Sequence, residues 1–582
     1  MEKKRFPFSQ NSILALVMVI SLFVFAGLSF DFYYDLNDDV MIKDILSGAY
    51  TGTPDAHSIQ MLYPISLLIS LLYGIVPVLP WQGVFLCFCH ALSLYVIAER
   101  SLSFVEKTWK KVALLVIEAV IIVTLFLWEL VIVQHTITSA LLAACACFLV
   151  LTSQTEEEHT PLEFWKQQTL PILLVLLSYN IRSEMFLLMC PFVGAVGIFK
   201  WFEEKAVFST KTLKKYLGLL GAIAAGMLLS LVVDFAAYSG KEWREFRDFF
   251  NARTQVYDYT WYPSFDEAER FYQEMGVSGS EYALLDNYNF GLDEAIDAEL
   301  LWSIAEYQEE NSIKVPLTTR IKEAFTAYKW RTFHEDMPYS YMVLLAYVAV
   351  VGLAVCKKDV SAIWKVPLLI AFRSVSWMYV ILANRVPARI SHPLYYIEFI
   401  VLCAWIFVYS RECQEKQRWI TFISTGVFVA YACVNLLSSV KATEAEMLSR
   451  EDANERMVAF DAYSEENPQN YYYMDVYSTV AFSEKMFEDV DNAQKNYDLL
   501  GGWVSGSPLQ KDATLLYYGE SISEAELLLQ GNFYFVIEKE RSLDFLYEFY
   551  ATQGITLTTE VVDEIGNKEN PLVVHEVSAI GF

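Results

Sequence analysis

The chain is 582 residues long, 55% hydrophobic and only 19% charged, with a formal net charge of −27. Soluble globular chains carry nearer ~25% charged residues, and a surface that binds nucleic acid is basic. With 36 Tyr, 39 Phe and 14 Trp also present, these figures exclude an ordinary soluble fold, a disordered chain and a nucleic-acid partner, and leave a membrane protein with acidic soluble parts.

A bilayer core of ~30 Å takes about 20 apolar residues as helix. In chain order the apolar runs are 12–30, 82–98, 112–133, 136–152, 169–181, 184–200, 216–238, 339–356, 361–382, 393–410 and 419–438. Lys3, Lys4 and Arg5 precede the first run, which predicts a cytoplasmic amino terminus and an uncleaved first helix. The loop 99–111, with Arg100, Lys107, Lys110 and Lys111, is cytoplasmic by the same rule. The stretch 61–79 is apolar too, but if it crossed the bilayer that loop would lie outside. Laid along the outer interface, a position that suits Pro64, Pro77 and Pro80, it puts every later basic loop inside: Lys200 to Lys215, Lys357/Lys358 and Arg411 to Arg418. The expectation is 11 spans in the plasma membrane, amino terminus in and carboxy terminus out.

The acidity sits in two polar blocks, which this topology places outside. Residues 239–338 are net −10 and residues 441–582 net −18, whereas the remainder is net +1. The nine cysteines avoid both blocks: eight lie in apolar runs and Cys413 in a short basic loop. That offers no disulfide framework, and Cys87/Cys89 and Cys145/Cys147 have poor zinc spacing. The predicted fold is an all-α polytopic membrane domain over 1–440, including a first outer loop 31–80 and a helical outer loop 239–338, followed by a small extracytoplasmic α/β domain over 441–582.

In the first outer loop, Asn37 is a plausible N-cap for a short helix from Asp38 to Leu46, with Gly48 as its stop. Asp38 and Asp39 then occupy the first turn, where the helix dipole favours acids whatever their role. Their place just beyond the first span is the more specific feature. Block 239–338 reads as amphipathic helices, with a capping-box pattern at Ser264 and Glu267; it suits a lid over the outer face or a solvated spacer. In the tail, strand signals at 471–478, 532–539, 555–565 and 571–578 alternate with helix signals near 479–488 and 541–551. Gly501, Gly502, Gly506 and Pro508 make a turn-rich loop that lacks the GxGxxG order of a dinucleotide site.

Ionisable groups therefore converge on one face: Asp38, Asp39, Asp55, His57, Glu129, His135, Arg182, Glu184, Arg385, Arg389 and His392. Guanidinium groups hold phosphate bidentately, and a carboxylate opposite takes a proton from an attacking hydroxyl. Such a face suits a sugar on a lipid phosphate carrier. Asp38 and Asp39 are the catalytic candidates. Arg182, Arg385, Arg389, His57, Glu129 and His135 are the substrate-binding candidates. Against this stand headgroup anchoring by snorkelling arginines and plain interfacial hydrogen bonding by the histidines. No Walker A loop, nucleophile elbow, HExxH or kinase motif occurs.

The order of parts resembles the GT-C superfamily of membrane glycosyltransferases. A first span is followed by a loop with an acidic pair, Asn37-Asp38-Asp39, then a Pro-containing segment from His57 to Pro80, a multi-helix body and an outer soluble domain. The segment is loosely similar to the His-Pro-Pro segment of protein mannosyltransferases and aminoarabinose transferases, although His57 and Pro64 are separated; the WWDYD-type motif of oligosaccharyltransferases is absent from the tail. The resemblance implies a polyprenyl-phosphate-linked sugar donor and transfer on the outer face to a glycan, lipid or protein acceptor of a cell envelope, with bacterial origin compatible. It also implies that a first-loop acid, here Asp38 or Asp39, acts as base or helps hold a metal. No cofactor is assigned, a divalent cation being the one candidate. Two other classes stay open. One is a transporter or flippase of a lipid-linked glycan, expected to show midplane charges and pseudo-symmetric halves. The other is a non-enzymatic envelope assembly protein whose tail recruits partners.

Overall fold

A computed structural model of the chain describes residues 9–154, 160–312, 314–412, 418–488, 492–519 and 522–580. Lys3, Lys4, Arg5, Cys413 and most of the 411–418 loop lie outside the described residues. The chain opens with α1 (Gln10–Ser29), β1 (Tyr33–Tyr34), α2 (Asn37–Ser47), α3 (Tyr63–Ile75), α4 (Trp81–Leu102), α5 (Thr108–Val131) and β2 (Ile132–Val133). It continues with α6 (His135–Thr152), α7 (Pro161–Gln167), α8 (Thr169–Ile181), α9 (Ser183–Trp201) and α10 (Thr210–Ala237). The polar block 239–338 is helical: α11 (Lys241–Thr254), a π-helical segment Gln255–Thr260, α12 (Glu269–Glu274), α13 (Gly279–Asp286), α14 (Ala298–Asn311) and α15 (Leu317–Trp330). Then come α16 (Tyr339–Lys357), α17 (Ala362–Leu382), α18 (Ala388–Glu412) and α19 (Arg418–Glu466).

Among the described residues ten helices are long and apolar enough to cross a membrane: α1, α4, α5, α6, α9, α10, α16, α17, α18 and α19. The protein is a multi-pass membrane protein. The remaining expected span, 169–181, is the 13-residue α8, too short alone. Its flanking contacts show why it still traverses the bundle. At one end Gln167 Nε2 donates to the Gln154 carbonyl beside the end of α6 (3.2 Å). At the other, Ser139 Oγ near the start of α6 lies 3.0 Å from Ser178 Oγ and donates to the Arg182 carbonyl (3.3 Å). The α7–α8 tandem, broken only at the buried Gln168, thus carries the chain from one end to the other.

Helix α3 behaves differently. Leu62 N donates to the Asn180 carbonyl (3.0 Å), and Gln82 N donates to Tyr73 Oη (3.1 Å), so both ends of α3 return to the same end of the bundle. It exposes Leu67, Leu68, Leu71 and Ile75 along its length, the apolar face of a helix lying in an interface. The bundle centres on α6, where every residue from His135 to Phe148 is buried. Its run of Ala, Ser, Thr and Cys lets neighbouring helices approach closely.

The tail carries β3 (Tyr471–Met474), β4 (Tyr497–Leu499), α20 (Pro508–Tyr518), α21 (Glu524–Leu527), β5 (Phe533–Glu538), α22 (Asp544–Thr552), β6 (Thr556–Ile565) and β7 (Leu572–Ile580). They form one sheet in the order β4-β3-β5-β7-β6. Strand β3 runs parallel to β4 and β5, and β7 runs antiparallel to β5 and β6. The last apolar helix does not stop at residue 440: α19 is one helix of 49 residues, about 74 Å at 1.5 Å per residue, so the expected boundary falls inside an unbroken rod.

The expected helix near 479–488 is instead irregular and extended. Its backbone serves the first loop: Tyr34 N donates to the Glu484 carbonyl (2.9 Å) and Met486 N to the Phe32 carbonyl (2.7 Å). Phe482 and Met486 are buried there with Tyr34 and Val40. Tertiary pairing has overridden a local helix signal.

Candidate functional site

Helix α2 begins one residue earlier than expected. Leu36, not Asn37, occupies the cap position, and Asn37 Oδ1 instead accepts from Asp38 N (3.0 Å). Gly48 does end it, at φ +90°, where a side chain would meet the Thr53 carbonyl carbon at 2.6 Å. Only glycine suits that left-handed stop.

Two short strands aim this helix. β1 pairs in parallel with β2, Tyr33 opposite Ile132 and Tyr34 opposite Val133. The pairing seats the start of α2 against the turn into α6. Gln134 caps α6 by accepting from Thr136 N and Ile137 N, and the next residue, His135, faces the acidic pair.

The two aspartates have separate environments. Asp39 is 1% exposed, its Oδ1 lies 2.6 Å from His135 Nδ1, and its Oδ2 is buried without a hydrogen-bond partner. Asp38 is half-buried, and its carboxylate makes no hydrogen bond or ion pair among the described residues. Burial first, and then the neighbouring Asp39 charge, hold the Asp38 carboxyl above its ordinary value. Arg389, His135 and Arg253 pull it the other way. Asp35 completes the cluster, also raised by burial and by Asp39, with Arg450 Nη2 at 2.8 Å from its Oδ1.

Two guanidinium groups answer these acids. Arg389, in the first turn of α18, is half-buried and has no hydrogen bond or ion pair among the described residues, yet its charge acts on both Asp35 and Asp38. Arg253, in the last turn of α11, is buried; its Nη1 donates to Tyr288 Oη (2.6 Å), and its Nε has no hydrogen-bond partner. Sequence reasoning missed Arg253, because only folding brings the polar block over the first loop.

The other expected residues stand at graded removes. His392, one turn beyond Arg389, holds the fully buried Glu129 at 2.6 Å and packs on Tyr339. Arg385 lies 2.9 Å from Asp258 and stacks over Tyr259; the Asp258 charge acts on Tyr288, the residue that accepts from Arg253. Arg182 is held elsewhere, by Gln60 and by Glu184 at 3.2 Å. His57 lies in an aromatic box, stacked on Trp243 at 4.6 Å beside Tyr63 and Tyr238, with Asp55 at 2.7 Å from its Nδ1. No described contact joins Arg182 or His57 to Asp38. The start of α9 meets the 55–62 loop through Arg182 and Gln60, whereas the start of α2 meets the start of α6 through Asp39 and His135. Among the described residues no three His, Cys, Asp or Glu side chains group at metal-holding spacing.

The chain has no matching family model and no match among curated proteins. Two solved structures are similar to it along most of its length. One is ArnT from Cupriavidus metallidurans in the apo state, with a TM-score of 0.44, 10% identity, and coverage of 97% of this chain and 98% of that one. The other is the same protein bound to undecaprenyl phosphate, with a TM-score of 0.41 at the same identity and coverage. At these scores the likeness decides neither family nor activity.

Proposed function

We propose that the protein is a membrane glycosyltransferase that moves a sugar from a polyprenyl-phosphate donor to an acceptor hydroxyl on a glycan, lipid or protein, with Asp38 as the base. The single observation that carries this reading is the pairing of an unbonded carboxylate, Asp38, with an unbonded guanidinium, Arg389, at one end of an apolar helical bundle. Two opposite charges near each other without a direct bond suit a polar substrate that engages both. The apolar surroundings suit a lipid tail.

The acceptor oxygen attacks the anomeric carbon, and the carbon–oxygen bond to the donor phosphate breaks. The hydroxyl proton passes to Asp38, and the lipid phosphate leaves with the bonding electron pair. Arg389 and Arg253 offset its growing charge. A carboxylate held above its ordinary value by burial is a stronger base than a solvated one. Asp39 serves differently: hydrogen-bonded to His135, it fixes the first turn of α2. The reading requires no metal.

The reaction face is extracytoplasmic in this account. Lys107, Lys110, Lys111, Lys205, Lys211 and Lys214 all lie at the opposite end of the bundle, and basic loops favour the cytoplasm.

The test is a transfer assay on purified protein with a panel of polyprenyl-phosphate sugars. Asp38→Asn is expected to lower kcat by about 10²- to 10⁴-fold while lipid-phosphate binding persists. Undiminished turnover in that variant overturns the assignment.

A further inference from the structure

The helix that presents Asp38 and Asp39 is held from behind by the tail. Lys43, 4% exposed on α2, places its Nζ 2.6 Å from Asp44 Oδ1 and 2.6 Å from Glu484 Oε2. Asp44 Oδ2 lies 2.9 Å from Lys495 Nζ. The result is a four-charge relay, Glu484–Lys43–Asp44–Lys495, whose inner members belong to α2 and whose outer members belong to the tail. Backbone and side-chain bonds run beside it: Lys495 N donates to the Ala49 carbonyl (2.8 Å), and Tyr50 Oη donates to Asp498 (2.8 Å).

The tail also grips the opposite wall of the site. Gly291 N donates to the Leu500 carbonyl (2.7 Å). A side chain on Gly501 would come within 1.8 Å of the Tyr288 carbonyl oxygen, and Tyr288 holds Arg253. The glycine loop of the tail is thus a docking seam.

We infer that the carboxy-terminal domain is a positioning element for the reaction site, with Lys43, Asp44, Glu484 and Lys495 as the positioning residues that fix α2. The inference rests on the transferase reading for its consequence in turnover, but not for its geometry. Alternating buried charges are a poor source of net stability, since well-packed apolar groups serve as well or better. What the relay supplies is a fixed register: Lys43 is bound to oxygens of both bodies, and Lys495 of the tail is bound to Asp44 of α2, so α2 cannot slide or rotate without stranding a charge. Displacement of a reacting group by 1 Å costs about 10²-fold in rate.

The experiment compares Lys43→Met, Lys43→Arg and Glu484→Gln in the purified full-length protein, by amide hydrogen exchange and by steady-state kinetics. In Lys43→Met, exchange across 37–47 is expected to rise at least ~10-fold while 135–152 stays protected. Its kcat is expected to fall about 10²-fold with donor KM within about twofold. Lys43→Arg restores part of both, and Glu484→Gln moves both the same way by less, which covers the case of a Lys43→Met protein that does not fold. Unchanged exchange across 37–47 in folded Lys43→Met and Glu484→Gln proteins overturns the inference, and so does a loss confined to KM. If exchange responds but wild-type protein transfers no sugar from any donor, the transferase reading falls and the positioning relationship stands.

Discussion

Asp39 and His135 meet at 2.6 Å in a buried contact, while the carboxylate of the adjacent Asp38 has no bonded partner among the described residues. Two consecutive acids in one helical turn thus take opposite roles, one tied and one free. Replacing Asp39 by Asn removes the buried charge but keeps the shape, and leaves His135 without its carboxylate. The expected outcome is lower stability by about 1–3 kcal/mol and a partial loss of turnover, checked by thermal unfolding and kinetics on the same preparation. His135→Gln is expected to resemble Asp39→Asn rather than Asp38→Asn. If His135→Gln abolishes turnover without touching stability, the histidine itself is the base.

Arg389→Ala is expected to weaken binding of a polyprenyl phosphate by about 10- to 100-fold, the equivalent of one charge-assisted contact. Arg389→Lys restores it incompletely, since an ammonium does not reproduce the planar fork. Arg182→Ala has the smaller effect, its guanidinium being held by Gln60 and Glu184. Binding isotherms for the three variants decide this, and a larger loss in Arg182→Ala would return that residue to the site.

Gly501→Ala places a methyl group where the Tyr288 carbonyl oxygen now sits, 1.8 Å away. Overpacking of this kind costs about 1–3 kcal/mol, and the shift propagates to Arg253 through its bond with Tyr288. Thermal unfolding and lipid-phosphate affinity are both expected to fall. An unchanged affinity would disconnect the seam from the site.

The tail should also respond to pH. Burial raises Asp461 and Asp498 to about 6 and Glu524 to about 7. A carboxyl whose folded value lies above its unfolded value near 4 contributes stability that is present at low pH and lost as pH rises through the folded value. Acidification from about pH 7.5 to 5 therefore strengthens the contribution of these three groups. His575, lowered by burial, works in the opposite sense, so the informative quantity is the difference between wild type and Asp498→Asn. That variant should be flatter in this window, by on the order of 1.4 kcal/mol, because the folded value of about 6 lies one unit above the acid end of the window. Equal pH slopes would show that Asp498 ionises normally.

Sidedness has a direct check. In a cysteine-free background, Thr53→Cys, exposed in the first loop, should react with a membrane-impermeant maleimide on intact cells. Ser103→Cys, exposed at the other end of the bundle, should react only after permeabilisation. The reverse pattern inverts the topology.

Much of this architecture was legible in the sequence because it rests on local signals. Apolar runs mark most crossings, Gly48 marks the end of α2, and runs rich in β-branched and aromatic residues mark β5, β6 and β7. The segment 479–488 misleads because Phe482 and Met486 are buried against another part of the chain rather than along a helix face of their own. At residue 440 the polarity changes while helix α19 continues. In the candidate site, the acidic pair and Arg389 were readable from their places beside span ends. Arg253 was not: it lies more than 200 residues from Asp38 in an amphipathic helix, and nothing in the local sequence distinguishes it from the other arginines of that block. Arg182 has the same local character as Arg389, and only tertiary contacts separate them.

The account turns on Asp38, and the most direct measurement is sugar transfer by purified wild-type and Asp38→Asn proteins from a panel of polyprenyl-phosphate sugars, with lipid-phosphate binding followed in parallel. The predicted result is product with at least one donor for the wild type, loss of turnover by about 10²-fold or more in the variant, and lipid-phosphate binding retained in both. Equal turnover by the two proteins would contradict it.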